Sequence, residues 1–185
     1  MAKAPRIGAG KQRLAADIGR VEAWRVNRAL HAHTLRVATD TRWRTLLCVA
    51  PRAALHLGLP GVWPSNTLRT LQSDGDLGAR MAHAMTPHRN VAIIGTDAPQ
   101  LTKALIARAF QSLASAPFVM GPSEDGGFWL LAARDGRAAA RAMHPVRWSS
   151  EQAMADVLRN LDSKVVRLPT LHDIDDVNDL RALRR

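Results

Sequence analysis

The period of the hydrophobic positions changes along this 185-residue chain. From Arg13 to Thr41, apolar side chains recur at Leu14, Ile18, Val21, Trp24, Val26, Ala29, Leu30, Leu35 and Val37. That is mainly the spacing of a helix burying one face. Leu46–Ala50 is a short unbroken apolar run stopped by Pro51, which predicts a buried strand. Gly58–Pro64 reads as loop, and Ser73-Asp74-Gly75-Asp76 as a turn opening a short helix over LGARMAHAM. Further strands are expected at Val91–Ile94, Phe118–Met120, Phe128–Ala132 and Val165–Leu168. Helices are expected at Thr102–Ser115 with Thr102 as N-cap, from Ser149 or Ser150 through Leu161, and at Val177–Leu183.

Strands alternating with helices predict an α/β fold built on a mainly parallel sheet. The link from Met120 to Phe128 is too short for a crossover helix, so one strand is expected to run antiparallel. No repeat, low-complexity tract or linker interrupts the pattern, and a single domain over residues 1–185 is expected.

Composition narrows the class. With 46% apolar and 23% charged residues, the chain is of the ordinary globular type. No apolar run approaches the ~18 residues of a membrane span. The N-terminus is basic but lacks the apolar stretch of a secretory signal. Cys48 sits inside Leu46-Leu47-Cys48-Val49, the setting of a small buried hydrophobe. These features point to the cytoplasm. The net charge of +10 comes largely from arginines spread along the chain, since Lys3, Lys11, Lys103 and Lys164 are the only lysines. With no Tyr, three Phe and five separated Trp, the clustered basic and aromatic stripe of a nucleic-acid reader is missing. No nucleic-acid partner is expected, while anionic small molecules such as nucleotides suit the charge. His31, His33, His56, His83, His88 and His144 show no zinc-ligand spacing, and no Ser/His/Asp or Cys/His nucleophile arrangement is visible.

Four segments carry candidate chemistry. Gly95-Thr96-Asp97-Ala98-Pro99 ends a strand, where open α/β sheets bind ligands. Asp97 is either a turn former or a hard oxygen ligand for Mg²⁺ shared with phosphates. Ser123-Glu124-Asp125-Gly126-Gly127 reads as a hairpin turn, yet two acids before two glycines exceed what a turn needs. Glu124 and Asp125 are candidates to orient sugar hydroxyls or a nucleophile, with Gly126 and Gly127 leaving room for a bulky ligand. The N-terminal run with Lys3, Arg6, Gly8, Gly10, Lys11 and Arg13 fails the P-loop pattern, because Pro5 stands at its first Gly position and Gln12 at its Ser/Thr. What remains is a solvated basic tail or a basic loop suited to a diphosphate. Finally, Asp173, Asp175 and Asp176 precede a helix. Asp175 or Asp176 suits its N-cap, while Asp173 and Asp175 are candidates for a metal or substrate pocket.

Taken in order, AKAP-x-x-G-x-x-K-x-R-L-A, GDLG-x-RM, GTDAPQLT, GPSEDGGFWLL, a late Trp-Ser and DIDD-x-x-DL resemble the radical-SAM/selenodomain-associated, glycosyltransferase-like family of bacterial proteins. The resemblance covers nearly the whole chain. It implies a Rossmann-like three-layer α/β/α fold of the GT-A, nucleotide-diphospho-sugar transferase type. It also implies a Mg²⁺- or Mn²⁺-dependent transferase taking a nucleotide sugar or NTP donor and a small-molecule acceptor. Nucleotidyl transfer with release of pyrophosphate, or a catalytically inactive nucleotide-binding module, are the alternatives. By the same resemblance Lys3, Arg6, Lys11 and Arg13 bind phosphates, and Gly78 and Arg80 lie toward the nucleotide base. Asp97 with Asp173 and Asp175 binds metal. Asp97, Glu124 and Asp125 are catalytic, and Gly126 and Gly127 form the acceptor loop. Gln12 departs from the Thr usual between the basic residues of the first loop. The family's apolar first strand precedes AKAP, whereas this chain starts at Met1-Ala2-Lys3. The usual first strand is therefore expected to be missing, with the natural start upstream or the chain a damaged version.

Overall fold

Strands and helices alternate through the computed structural model, which describes residues 1–183. In chain order they are β1 (Ala2–Lys3), α1 (Gln12–Ile18), α2 (Arg20–Ala38), β2 (Leu46–Ala50), β3 (Leu68–Leu71), α3 (Leu77–Met85), β4 (Arg89–Ile94), α4 (Lys103–Ser112), β5 (Phe118–Pro122), β6 (Phe128–Asp135), α5 (Gly136–Arg141), α6 (Ala153–Leu161), β7 (Val165–Arg167) and α7 (Val177–Ala182). Contacts partition the chain into two units. One holds Ala2–Leu71, Thr96–Leu101 and the segment from His172; the other holds Met1, Gln72–Gly95 and Thr102–Leu171.

In the first unit β1, β2 and β3 form a parallel sheet in that order. A first strand expected to be missing is thus present in two residues, with Ala2 opposite Val49 and Ala4 N–H donating to the Ala50 carbonyl. β3 is not predicted by the pattern: Leu68 is exposed and the other three residues are half-buried, so it shows no alternation. The single helix expected over 13–41 is two helices, broken at Gly19, whose φ of +84° favours a residue without Cβ. Leu35, Leu47, Val49, Val62 and Trp63 form one core cluster. Leu14, Ala23, Leu30 and Ile174, with Val177 and Leu180 against them, form another that ties α1, α2 and α7 together.

The second unit contains a four-stranded sheet in the order β4-β6-β5-β7. β6 runs antiparallel to β4 and β5, and β5 is parallel to β7. The short link before Phe128 forces that reversal, as expected. Phe118, Met120, Leu131 and Ala133 pack with Met81, Met85, Ala139, Val157 and Leu161 of α3, α5 and α6. The alternate residues Val119, Leu130 and Ala132 are fully buried too, so β5 and β6 are covered on both faces and read as continuous apolar runs. Each such Leu contributes about 1.5–3 kcal/mol relative to an exposed one. Thr102 caps α4 as expected, accepting from Leu105 N–H. α6 starts later than expected: Gln152 is its N-cap, and Ser150 Oγ accepts from Gln152 N–H instead of capping the helix. Asp156 inside α6 is nearly buried and takes a bidentate pair from Arg147 at 2.7 and 2.8 Å. Those hydrogen bonds hold its carboxyl well below the usual range. Among the described residues, no helix is long and apolar enough to cross a membrane.

Candidate functional site

In the first unit the loop ahead of α1 is shaped by left-handed residues. Gly8 and Gly10 both have φ of +77°, and Lys11, the N-cap of α1, has φ of +48°. A left-handed conformation costs a non-glycine residue roughly 1–2 kcal/mol, so its persistence at Lys11 calls for a compensating contact. That contact is an ion-pair clamp. Lys11 Nζ lies 2.6 Å from Asp97 Oδ1 and 2.9 Å from Asp175 Oδ1. The lysine side chain is 7% exposed, whereas the carboxylates are 43% and 49% exposed. Burial lowers the Lys11 pKa, but the charges and hydrogen bonds of Asp97 and Asp175 together raise it more, and the net displacement is upward.

The two acids are held in register by backbone lacing between their segments. Ile174 N–H donates to the Asp97 carbonyl at 3.1 Å, and His172 N–H to Gln100 Oε1 at 2.9 Å. Asp176 caps α7 by accepting from the N–H groups of Asn178 and Asp179, while Asp179 accepts from those of Asp175 and Asp176. Capping thus engages Asp176 and Asp179, and the Asp175 side chain faces Lys11. Two half-exposed carboxylates converging on one cation suit a hard divalent ion that shares its other positions with phosphate and water. The expected trio of Asp97, Asp173 and Asp175 is not gathered as one cluster. Among the described residues no group of three or more His, Cys, Asp or Glu side chains is placed to hold a metal. Asp97 and Asp175 meet at Lys11, and Asp173 is half-buried two residues away in the chain.

α2 presents Asn27, His31 and Thr34 as buried polar residues on the same face as Leu30 and Leu35. His31 Nδ1 accepts from Trp63 Nε1 at 3.2 Å, and the two rings stack with centroids 5.9 Å apart. Burial pushes the imidazole down to a pKa of about 4, against the opposing pull of Asp97, so His31 is neutral at pH 7. Zinc-ligand spacing alone overlooks this residue. The visible signal is a polar side chain at helical spacing on an otherwise apolar face.

In the second unit the SEDGG segment is the hairpin joining β5 to β6. Ser123 N–H donates to the Gly127 carbonyl at 3.0 Å, and Asp125 Oδ1 accepts from Gly127 N–H at 2.9 Å. Gly126 has φ of +81°, and a Cβ there would fall on the Glu151 carbonyl. Backbone packing, not room for a ligand, is what requires that glycine. Glu124 and Asp125 are exposed, and the Ser123 hydroxyl is buried with no hydrogen-bond partner among the described residues. Gly78 is likewise packed, since a Cβ would strike the Trp148 ring and the Met143 carbonyl. Arg80 Nε donates to the Gly75 carbonyl at 2.9 Å, tying the turn to α3. Lys3, Arg6 and Arg13 are exposed, and of the four predicted phosphate-binding cations only Lys11 is seen on the acids. A cleft of about 780 Å³ in the first unit, between Leu55 and Arg69, is lined by none of the candidate residues.

This is an α/β protein with the fold of nucleotide-diphospho-sugar transferases. A structure from Desulfovibrio desulfuricans G20, provisionally named nucleotide-diphospho-sugar transferase, matches with a TM-score of 0.89 at 25% identity, covering 100% of this chain and 84% of that one. A Mycobacterium sp. strain JC1 homolog of Mycobacterium tuberculosis Rv0371c shares the fold with a TM-score of 0.55 at 17% identity, over 83% and 80% of the two chains. Rv0371c of M. tuberculosis H37Rv, solved in complex with manganese, does so with a TM-score of 0.54 at 14% identity, over 85% and 84%. No curated protein matches the sequence. A family profile matches residues 33–150, and the chain belongs to that family, DUF2064, described as an uncharacterized protein conserved in bacteria.

Proposed function

We propose that the protein is a transferase using a nucleotide sugar as donor and requiring Mg²⁺ or Mn²⁺. The observation that carries this reading is the clamp of Lys11 on Asp97 and Asp175, set in a chain that is similar from end to end to the Desulfovibrio protein. Asp97 and Asp175 would hold the metal. When bound, the ion supplies positive charge against the diphosphate as the donor bond breaks. The manganese complex of Rv0371c supports a divalent ion on this fold. Lys11, with Lys3, Arg6 and Arg13 of the same segment, binds and orients the diphosphate by charge-assisted hydrogen bonds. Glu124, exposed at the hairpin, is assigned as the acceptor-side carboxylate, and Asp125 accepts a hydrogen bond within its own turn.

Thermal-shift titration of nucleotide sugars and NTPs, with and without Mg²⁺ or Mn²⁺, tests this. A ligand at a hundredfold excess over its Kd stabilises the folded chain by about 2.7 kcal/mol. The expected result is a metal-dependent shift with a nucleotide sugar, abolished by EDTA and by Asp97→Asn. A shift indifferent to both rejects the reading. Turnover releasing NDP or NMP supports it, whereas pyrophosphate released from an NTP moves the chemistry to nucleotidyl transfer.

A further inference from the structure

Lys11 sits where a metal would have to sit. Its ammonium contacts Oδ1 of both acids at 2.6 and 2.9 Å. A Mg²⁺ ion using those same two oxygens would need to lie at about 2.0–2.1 Å from each. The two cations cannot share that space, and their like charges repel. The lysine is also the buried member of the trio, held there by a left-handed backbone that glycines on its N-terminal side allow.

We propose that Lys11 is an internal counter-ion exchanged for a divalent metal, so that metal entry on Asp97 and Asp175 releases its ammonium to an anionic phosphate ligand. The inference rests on the metal-dependent reading above and adds a coupling to it. Two carboxylates and one ammonium carry a net charge of −1, which repels a diphosphate. A divalent ion at the same acids brings the group to +1 and leaves the displaced Lys11 in search of an anion. The diphosphate supplies the new partner, so metal and donor each favour the other's binding, and the coupling is reciprocal.

Amine footprinting tests the exchange without any nucleotide. The chain has four lysines, so acetylation read by mass spectrometry resolves Lys11 against Lys103 and Lys164. Mn²⁺ alone is expected to raise the Lys11 modification rate severalfold, with the two reference lysines unchanged and no response in Asp97→Asn. Mn²⁺ titration by electron paramagnetic resonance supplies the second readout. Lys11→Met removes the competing cation and is expected to bind Mn²⁺ about tenfold tighter than the parent chain. Lys11 that stays protected under saturating Mn²⁺, or a Lys11→Met variant that binds no tighter, overturns the exchange and leaves the transferase reading standing. Release of Lys11 by Mn²⁺ in a protein that binds no nucleotide sugar supports the exchange and sinks the transferase reading. Failure of both chains to bind Mn²⁺ overturns the exchange.

Discussion

Asp97 and Asp125 both follow an apolar strand in a turn rich in glycine or proline, and in sequence they look alike. The structure uses them oppositely. Asp125 Oδ1 takes the N–H of Gly127 two residues on, and the neighbouring glycine is packed on the Glu151 backbone. The Asp97 backbone is held through its carbonyl by Ile174 N–H, and its carboxylate meets the ammonium of Lys11. A turn that secures itself with backbone groups leaves its acid for other chemistry, whereas a turn secured by its acid has largely committed it. Side-chain partners, more than the presence of an acid, separate a site from a loop.

Glycine substitutions break this contrast most strongly. At Gly126 an added Cβ would overlap a carbonyl with φ at +81°, so Gly126→Ala is expected to cost roughly 2–5 kcal/mol from overpacking and left-handed strain combined. At Gly10 the nearest atom to an added Cβ is the flexible Asn27 Nδ2 at 3.6 Å, with φ at +77°. Gly10→Ala is therefore expected to cost only about 1–2 kcal/mol, from strain alone. Urea unfolding of the two variants checks the ordering. Equal losses would mean that the hairpin glycine is no more constrained than the clamp glycine.

Acid separates the two units next. His31, in the unit that holds the clamp, titrates near 4 instead of 6.5 because it is buried. Between those values the unfolded chain takes up a proton that the folded chain refuses, so stability falls as pH drops from about 6.5 to 4. At 1.36 kcal/mol per pH unit the loss is roughly 3 kcal/mol. Asp156, in the other unit, is held below its ordinary 3.8 by Arg147. Its contribution is fully present above that value and is lost only at lower pH. Hydrogen exchange at pH 5, corrected for intrinsic rates, should therefore show α2 and its neighbours losing protection before β5 and β6. His31→Gln should remove that pH dependence, and a slope unchanged in the variant would assign it elsewhere.

Local patterns exposed the parts of this architecture that are themselves local. Phe118–Met120 and Phe128–Ala132, the greater part of β5 and β6, were legible because strands buried on both faces are continuous apolar runs, and the brief link between them dictated the reversal. Thr102 was legible as a cap because capping acts within three residues. β3 was not, since an edge strand of four largely half-buried residues carries no alternation. Asp97 and Asp175 stood out as acids near element ends, but their meeting at Lys11 spans 164 residues between Lys11 and Asp175. No window along the chain encodes that encounter. His31 was missed because its role depends on Trp63, 32 residues away.

The smallest expected effect tests whether Asp125 serves only its turn. Its Oδ1 accepts one exposed hydrogen bond from Gly127 N–H, a contact worth about 0.5–1.5 kcal/mol. Asp125→Ala should lower stability by that amount, while Asp125→Asn keeps the acceptor oxygen and should stay within about 0.5 kcal/mol of the parent. If the carboxylate charge mattered for chemistry, Asn and Ala would impair turnover alike whatever their stability. If the turn is its whole role, Asn keeps both stability and turnover, and Ala loses activity only as far as the hairpin loosens. Glu124→Gln in the same assay should lose turnover, since it removes the acceptor-side charge and leaves the Asp125 bond in place. Turnover preserved in Glu124→Gln but lost in Asp125→Asn would reverse the roles assigned to the two acids.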